Sequence, residues 1–169
     1  MVLRLVGSEM CIRDREKADR RAVLADVMDA AARFFRMSLA SNHGARARDY
    51  LDGRGLAAAT RDRFEIGFAP DDRGALLRHL VDKGVPEADL VDTGLVVKPD
   101  DGGAAYDRFR GRVMFPIRDA RDRCIAFGGR ALDPNARAKY LNSPETVLFD
   151  KGRSLYNLGP AREAAGKVS

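Results

Sequence analysis

The spacing of apolar residues changes once along the chain, near Leu95, and this change constrains the fold more than any other sequence feature. From Glu16 to Leu39 apolar residues recur mostly at intervals of three and four, as on one face of a helix. Short helical segments follow, up to Gly94. Beyond that point Arg112–Arg118 alternates apolar and polar side chains, the pattern of a half-buried strand. The sequence therefore predicts an α+β fold in which N-terminal helices are followed by a small antiparallel sheet.

Turn-forming residues divide this pattern into elements. The predicted helices cover residues 16–40, 46–51, 57–64, 74–83 and 86–93. The predicted strands cover residues 95–97, 112–118 and 124–129, and residues 119–122 join the last two into a hairpin. Residues 66–70 are interpreted as an extended link. Pro116 predicts an edge or a bulge in its strand, because proline cannot donate a ladder hydrogen bond.

The composition is that of a globular chain with its own hydrophobic core. At 169 residues and 45% hydrophobic content, the chain can bury roughly 70% of its unfolded surface without a disulfide or a metal. Cys11 and Cys124 have neither CxxC spacing nor a nearby histidine, which argues against a zinc site and favours a reducing compartment. No apolar run of about 18 residues and no signal peptide is present. We therefore expect a cytoplasmic location and no membrane contact.

Positive charge is concentrated in the last third of the chain. Residues 106–169 carry 13 basic and 7 acidic side chains, a net charge of +6, whereas residues 16–105 have a net charge of −2. Of the 30 basic residues, 24 are arginine. Arginine binds phosphate through its planar fork, but a GC-rich genome also favours arginine, so its placement is more informative than its number. A basic stretch of this kind suits a polyanionic ligand.

Residues 1–15 differ from the rest of the chain. Leu5–Arg15 can be back-translated into DNA that resembles a transposon-end adapter used to tag DNA for sequencing. We interpret residues 1–15 as such an adapter remnant or, alternatively, as a disordered native tail, and exclude them from fold reasoning. Residues 16–45 are then predicted to form a linker helix, and residues 46–169 to form one domain.

Four sequence blocks in the second half of the chain resemble, in order, those of bacterial DnaG-type primases. They are YDRFRGRVMFPI at 106–117, FGGR at 127–130, KYLNSPET at 139–146 and FDKG at 149–152. Two upstream blocks, YLDGRGL at 50–56 and IGFAP at 66–70, also match, so the resemblance extends from about Arg21 to near the C-terminus. Two positions depart from the pattern. Ala126 replaces a usual glycine, and Asp150 replaces a usual histidine and places an acid beside Lys151.

The resemblance implies a replication primase, a nucleotidyltransferase that makes short RNA primers on a single-stranded DNA template from ribonucleoside triphosphates. Residues 46–169 would be the N-terminal subdomain of its polymerase core. In the family a Toprim fold with the Mg²⁺ site follows this subdomain, zinc lies in an N-terminal module, and a C-terminal module binds the replicative helicase. The chain ends about where the first Toprim strand is expected, and its basic last third lacks clustered carboxylates. We therefore expect no catalytic or metal-binding residues and no primer synthesis by this chain alone.

Basic side chains within these blocks are the candidates for binding template and nucleotides. Arg110 and Arg112 would share a face if that stretch is extended. By resemblance, Lys139, Asn142 and Lys151 would face the cleft beside the metal site. The full candidate set is Arg54, Arg108, Arg110, Arg112, Arg130, Lys139, Tyr140, Asn142 and Lys151.

Each candidate also has a structural interpretation. The arginines at 108, 110 and 112 would be ordinary surface residues if they pair with Asp107 or Asp119. Tyr140 would either stack on a base or pack half-buried. A second functional hypothesis is a stand-alone, non-catalytic nucleic-acid binding module. A Glu-Gly-Tyr-Met-Asp-like block encoded downstream of Ser169 would decide for the primase.

Overall fold

A computed structural model of the chain describes residues 2–152, with side chains from residue 11 onward, and confirms the α+β fold. The helices are α1 (Val2–Ala40), α2 (Ala45–Gly53), α3 (Ala58–Arg63), α4 (Ala75–Asp82) and α5 (Glu87–Asp92), with a 3-10 turn at Asn42–Gly44. The strands are β1 (Gly67–Ala69), β2 (Val96–Val97), β3 (Tyr106–Asp107), β4 (Arg112–Arg118), β5 (Cys124–Ala131) and β6 (Tyr140–Asn142). None of the helices in this part of the chain is both long and apolar enough to cross a bilayer.

The predicted helices and the β4–β5 hairpin are confirmed, but three short strands were not predicted. Strand β1 lies within the stretch interpreted as an extended link, and β3 and β6 span only two and three residues. Helix α1 begins at Val2 rather than at the predicted Glu16. Residues 2–15 contain no proline that would interrupt the helix. The division of the chain at residues 15 and 45 stays a prediction, and residues 153–169 of the predicted domain lie outside the described residues.

The main sheet is fully antiparallel, with the strand order β1-β4-β5-β6. Pro116 pairs with Phe127 of β5 and lies beyond the end of β1, whose three residues pair only with residues 112–114. At Pro116 strand β4 therefore has no neighbouring strand on the β1 side. A proline, which has no backbone N–H to donate, is tolerated at such an edge. The register also shifts between Ile117 and Arg118. The edge position expected for Pro116 is confirmed, and the irregularity lies one residue farther along β4.

The sheet separates two groups of buried side chains. Met114 and Phe127 point to one face and pack with α1, α4 and α5. Val113 and Phe115 point to the opposite face and pack with α2 and with the residues that follow it. Because successive side chains of a strand alternate, neighbouring residues of β4 serve different cores.

Helix α1 crosses the main sheet in direct contact with β1. A Cβ atom placed on Gly67 would lie 2.5 Å from the Cβ atom of Phe35, so only glycine allows this approach. The Phe35 ring then meets the Phe127 ring edge to face, with the centroids 5.2 Å apart. Most of the predicted apolar face of α1 is buried here, but Val23 stays 47% exposed.

A small second sheet, formed by β2 and β3, holds the N-terminal end of α4. Asp107 in β3 is buried, and its carboxylate oxygens accept hydrogen bonds from the backbone amides of Leu76 at 2.8 Å and Leu77 at 3.0 Å. These amides lie in the first turn of α4, where no intrahelical acceptor is available. Asp107 therefore caps α4 from a distant strand and does not pair with a neighbouring arginine.

Burial raises the pKa of the Asp107 carboxyl from 3.8 to about 6, although the two amide hydrogen bonds act in the opposite direction. The folded state thus retains a proton that the unfolded chain loses at lower pH. Protonated Asp107 therefore contributes its full stabilisation below about pH 4, and this contribution is lost as the pH rises through about 6.

We therefore expect the wild-type chain to lose unfolding free energy, relative to Asp107→Asn, between pH 4.5 and pH 7.5. Urea titrations of both proteins at the two pH values measure this difference. Asp100→Asn, at an exposed position, is the control and should show no such change. An equal pH dependence in wild type and Asp107→Asn would contradict the assignment.

Candidate nucleic-acid interface

Two arginines and two tyrosines form a continuous cluster where α2 meets the main sheet. The Arg130 Nε atom donates a hydrogen bond to the Tyr50 hydroxyl at 2.9 Å. The Arg130 guanidinium carbon also lies 4.9 Å from the centroid of the Tyr140 ring. Arg54, one helical turn beyond Tyr50, places its guanidinium carbon 5.5 Å from the Tyr50 ring centroid. We call these four residues the Arg–Tyr cluster.

Strand register determines the position of the cluster. Val113 of β4 pairs with Arg130 of β5, and Arg130 pairs with Tyr140 of β6, so all three side chains project from the same face. Val113 is buried beneath α2 together with Leu51. The sheet continues past the edge of this buried patch, and Tyr140 is 45% exposed there. The apolar packing of α2 thus sets the distance between Tyr50 and Arg130.

The electrostatics of the cluster keep Arg130 charged. Burial disfavours the charged form, but the hydrogen bond to Tyr50 and the electrostatic interactions with Tyr50 and Tyr140 outweigh it, and the pKa of Arg130 is raised. A guanidinium held against an aromatic ring offers a phosphate-binding group and a stacking surface side by side. This combination suits a single-stranded nucleic acid, whose bases and phosphates are both accessible.

Asn142 extends the same face. It pairs with Gly128 of β5 two residues after Tyr140, and its side chain is exposed. A Cβ atom on Gly128 would lie 3.2 Å from the Asn142 Oδ1 atom, so the glycine leaves space for the amide. The structure thus brings together four of the nine predicted residues: Arg54, Arg130, Tyr140 and Asn142.

Arg112, the first residue of β4, projects from the other face of the sheet, and Arg110 lies in the loop before it. Gly111 between them has a φ of 59°, so the stretch is not the continuous strand on which their shared face was predicted. Both arginines nevertheless line one cleft, with a volume of about 1000 Å³, between α1, the start of α4 and the loop after β5. We call it the second cleft. Burial, together with the positive charge of Arg110, lowers the pKa of Arg112.

The remaining three predicted residues occupy different places. Arg108 is half-buried, and its Nε atom donates a hydrogen bond to the Gly94 carbonyl oxygen at 2.7 Å, which makes it an anchor between loops. Lys139 is exposed beside β6, one residue before Tyr140. Lys151 follows Phe149, which packs against Ile125 and its neighbours at the hairpin end of β5. Because Arg130 lies near the opposite end of β5, Lys151 does not join the Arg–Tyr cluster.

Sequence reasoning missed the role of Tyr50. This residue lies in a matching block but was not selected as a site residue. Its spacing of four from Arg54, on a segment predicted to be helical, is the signal that could have identified it. The contact with Arg130, 80 positions away, has no local signal.

A family model for the N-terminal domain of the DNA primase catalytic core matches residues 34–162. The chain belongs to this family. The DNA primase of Pseudomonas putida is 48% identical over 141 residues, which cover 83% of this chain and 21% of that protein. The DNA primase of Deinococcus radiodurans is 52% identical over 120 residues, which cover 71% of this chain and 21% of that protein. The chain thus spans about a fifth of the length of these primases.

Solved primase structures share the fold. A DnaG primase catalytic domain bound to single-stranded DNA is 46% identical, with a TM-score of 0.76 over 88% of this chain and 46% of that one. The RNA polymerase domain of Mycobacterium tuberculosis primase, in complex with double-stranded DNA carrying a six-nucleotide overhang, is 38% identical, with a TM-score of 0.70 over 76% and 40% of the two chains. A structure of Aquifex aeolicus primase includes its zinc-binding and RNA polymerase domains and is 31% identical, with a TM-score of 0.70 over 82% and 32%.

The hydrogen bond between Tyr50 and Arg130 should be measurable as a coupling in stability. Tyr50→Phe and Arg130→Gln should each destabilise this primase domain, and the double-mutant cycle should give a coupling of about 0.5–1.5 kcal/mol. Urea denaturation of the four proteins provides the values. Arg123→Gln, at the other end of the hairpin, should combine additively with Tyr50→Phe. A cycle with no coupling at Arg130 would show that the bond contributes nothing in solution.

Proposed function

We propose that this chain is part of a replication primase and supplies the surface that holds the single-stranded DNA template and the incoming ribonucleoside triphosphates. The Arg–Tyr cluster is the observation that carries this proposal. It presents arginine forks and an exposed tyrosine ring on one sheet face, and the chain is similar to a DnaG catalytic domain bound to single-stranded DNA.

Binding at this surface would not depend on template sequence. Guanidinium groups contact phosphates, which every nucleotide carries. Tyr140 stacks on a base face, and every base has one. The chemistry of the cluster therefore suits contacts to the phosphates and base faces of a single strand.

The metal-dependent step is assigned to another part of the primase. Among residues 11–152 no group of three or more His, Cys, Asp or Glu side chains is placed to hold a metal ion. These residues do not fit the two Mg²⁺ ions of phosphoryl transfer, which need clustered carboxylates. We likewise assign zinc and the replicative helicase contact to modules other than this chain, and place the protein in the cytoplasm. The stand-alone binding module is not favoured, because the relatives are DNA primases.

We expect the chain to bind single-stranded DNA weakly and with a strong dependence on salt. If three to five phosphates are neutralised, the slope of log K against log salt should be about −2 to −3.5. Fluorescence anisotropy with a labelled oligonucleotide, measured across a series of salt concentrations, gives this slope. Binding that does not change with salt, or its absence at low salt, would contradict the proposed surface.

Lysine substitutions test which cations contact the template. Lys139→Ala and Lys151→Ala should each lower the affinity for DNA about fivefold and reduce the salt slope by about one contact, equally for all template sequences. Their melting temperatures should stay close to that of the wild type, because both side chains are exposed.

Lys83→Ala is the matched control, since Lys83 is an exposed lysine after α4, in the less basic part of the chain. It should change neither affinity nor slope. If it weakens binding as much as the other two substitutions, the effect is one of overall charge. If only Lys139→Ala acts, the proposal that the DNA-binding surface extends beyond the Arg–Tyr cluster to Lys151 at the hairpin end of β5 is wrong.

A further inference from the structure

The Arg130 side chain is held by two tyrosines within the protein itself. Its Nε atom donates a hydrogen bond to the Tyr50 hydroxyl at 2.9 Å, and its guanidinium carbon lies 4.9 Å from the Tyr140 ring centroid. A free arginine side chain loses much rotamer freedom when it binds a ligand, so one that is already fixed binds at a smaller entropic cost. The Arg–Tyr cluster therefore contains a means of preorganising Arg130.

Tyr50 is itself fixed by the helix that carries it. Its neighbours on α2, Ala47 and Leu51, are fully buried against the main sheet, and the Tyr50 ring packs beside them. The ring is half-buried, and its hydroxyl reaches Arg130, 80 positions later in the chain. A half-buried ring on an anchored helix is a rigid hydrogen-bond acceptor for a long, flexible side chain.

The hydrogen bond from Arg130 to Tyr50 also sets the direction in which the guanidinium can bind an anion. A guanidinium carries one N–H on Nε and four on its two terminal nitrogens. Because Tyr50 accepts the Nε–H, a phosphate is left to the terminal pair. Arginine commonly binds phosphate through two parallel hydrogen bonds, so the orientation of the fork matters as well as its charge.

We propose that Tyr50 is a positioning residue for template binding, whose hydroxyl orients the Arg130 fork so that its two terminal nitrogens meet a phosphate. The inference rests on the proposed function, and adds that a neutral hydroxyl outside the contact with DNA controls one phosphate contact. The Tyr50 ring has a separate partner, since the Arg54 guanidinium carbon lies 5.5 Å from its centroid. Phenylalanine keeps the ring and removes only the hydroxyl, so Tyr50→Phe isolates the positioning role.

The affinity of the full chain for single-stranded DNA, measured by fluorescence anisotropy across a series of salt concentrations, tests the proposal. Tyr50→Phe should lower the affinity about threefold at about 0.1 M salt and flatten the slope of log K against log salt, although it removes no charge. In an Arg130→Gln background the same substitution should have no further effect. In an Arg54→Gln background it should again lower the affinity about threefold, because the hydroxyl acts through Arg130 and not through Arg54.

Thr93→Val is the matched control for the loss of a hydroxyl hydrogen bond. The buried Thr93 Oγ1 atom donates to the Leu90 carbonyl oxygen at 3.0 Å, at the end of α5, which packs on the opposite face of the main sheet. This substitution should lower Tm and leave both the DNA affinity and the salt slope unchanged. It therefore separates a general loss of stability from a loss of Arg130 orientation.

Four results would overturn the positioning role of Tyr50 while leaving the proposed function intact. They are an unchanged affinity for Tyr50→Phe, an equal loss in the Arg130→Gln background, no loss in the Arg54→Gln background, and an equal loss caused by Thr93→Val. A wild-type chain that does not bind single-stranded DNA at low salt would instead overturn both the positioning role and the proposed function.

Discussion

The backbone contact between α1 and β1 at Gly67 positions both faces of the main sheet. Phe35 lies against a residue without a side chain, so the helix axis comes closer to the sheet than a Cβ atom would permit. Strand β1 pairs with β4, and β4 pairs with β5, so the location of α1 is transmitted along the hydrogen-bonded ladder. The positions of the second cleft and of the sheet face that carries Arg130 therefore both depend on this one contact.

The pleat of the sheet then separates arginines that are close together in the ladder. Arg112 pairs with Ala131, and the adjacent Val113 pairs with Arg130, so the two arginines leave the sheet in opposite directions. A basic stretch that looks uniform in the sequence thus becomes two surfaces with different neighbours. One has Tyr50 and Tyr140 beside its cations, and the other has an apolar wall, carboxylates and the Tyr106 ring beside Arg110.

Elements with a repeated pattern could be predicted from the sequence, and contacts between distant residues could not. Helix α4 was predicted at 74–83 because its apolar residues recur at helical spacing and Gly84 follows it. Strands β3 and β6 are two and three residues long, too short to display a period. Their presence depends on partners that only the folded chain provides.

The same limit applied to the site. Resemblance selected both Arg130 and Tyr140, whose side chains lie together in the structure, yet it could not separate them from Arg108, whose guanidinium donates to the Gly94 carbonyl oxygen. It also grouped Arg110 and Arg112 with them, because the spacing of the two arginines does not show that Gly111 between them has a positive φ. Burial and strand register decided these cases, and neither is a property of a short motif.

The capping of α4 by Asp107 has a consequence for the order in which the chain folds. Helix α4 has eight residues, fewer than an isolated helix needs to be stable in water. Its N-terminal amides are satisfied by a carboxylate about 30 positions later in the chain, so the helix gains this cap only after a long loop has closed. Nucleation of α4 therefore depends on docking of β3, and the amides of α4 should become protected from hydrogen exchange in the same kinetic phase as those of β3.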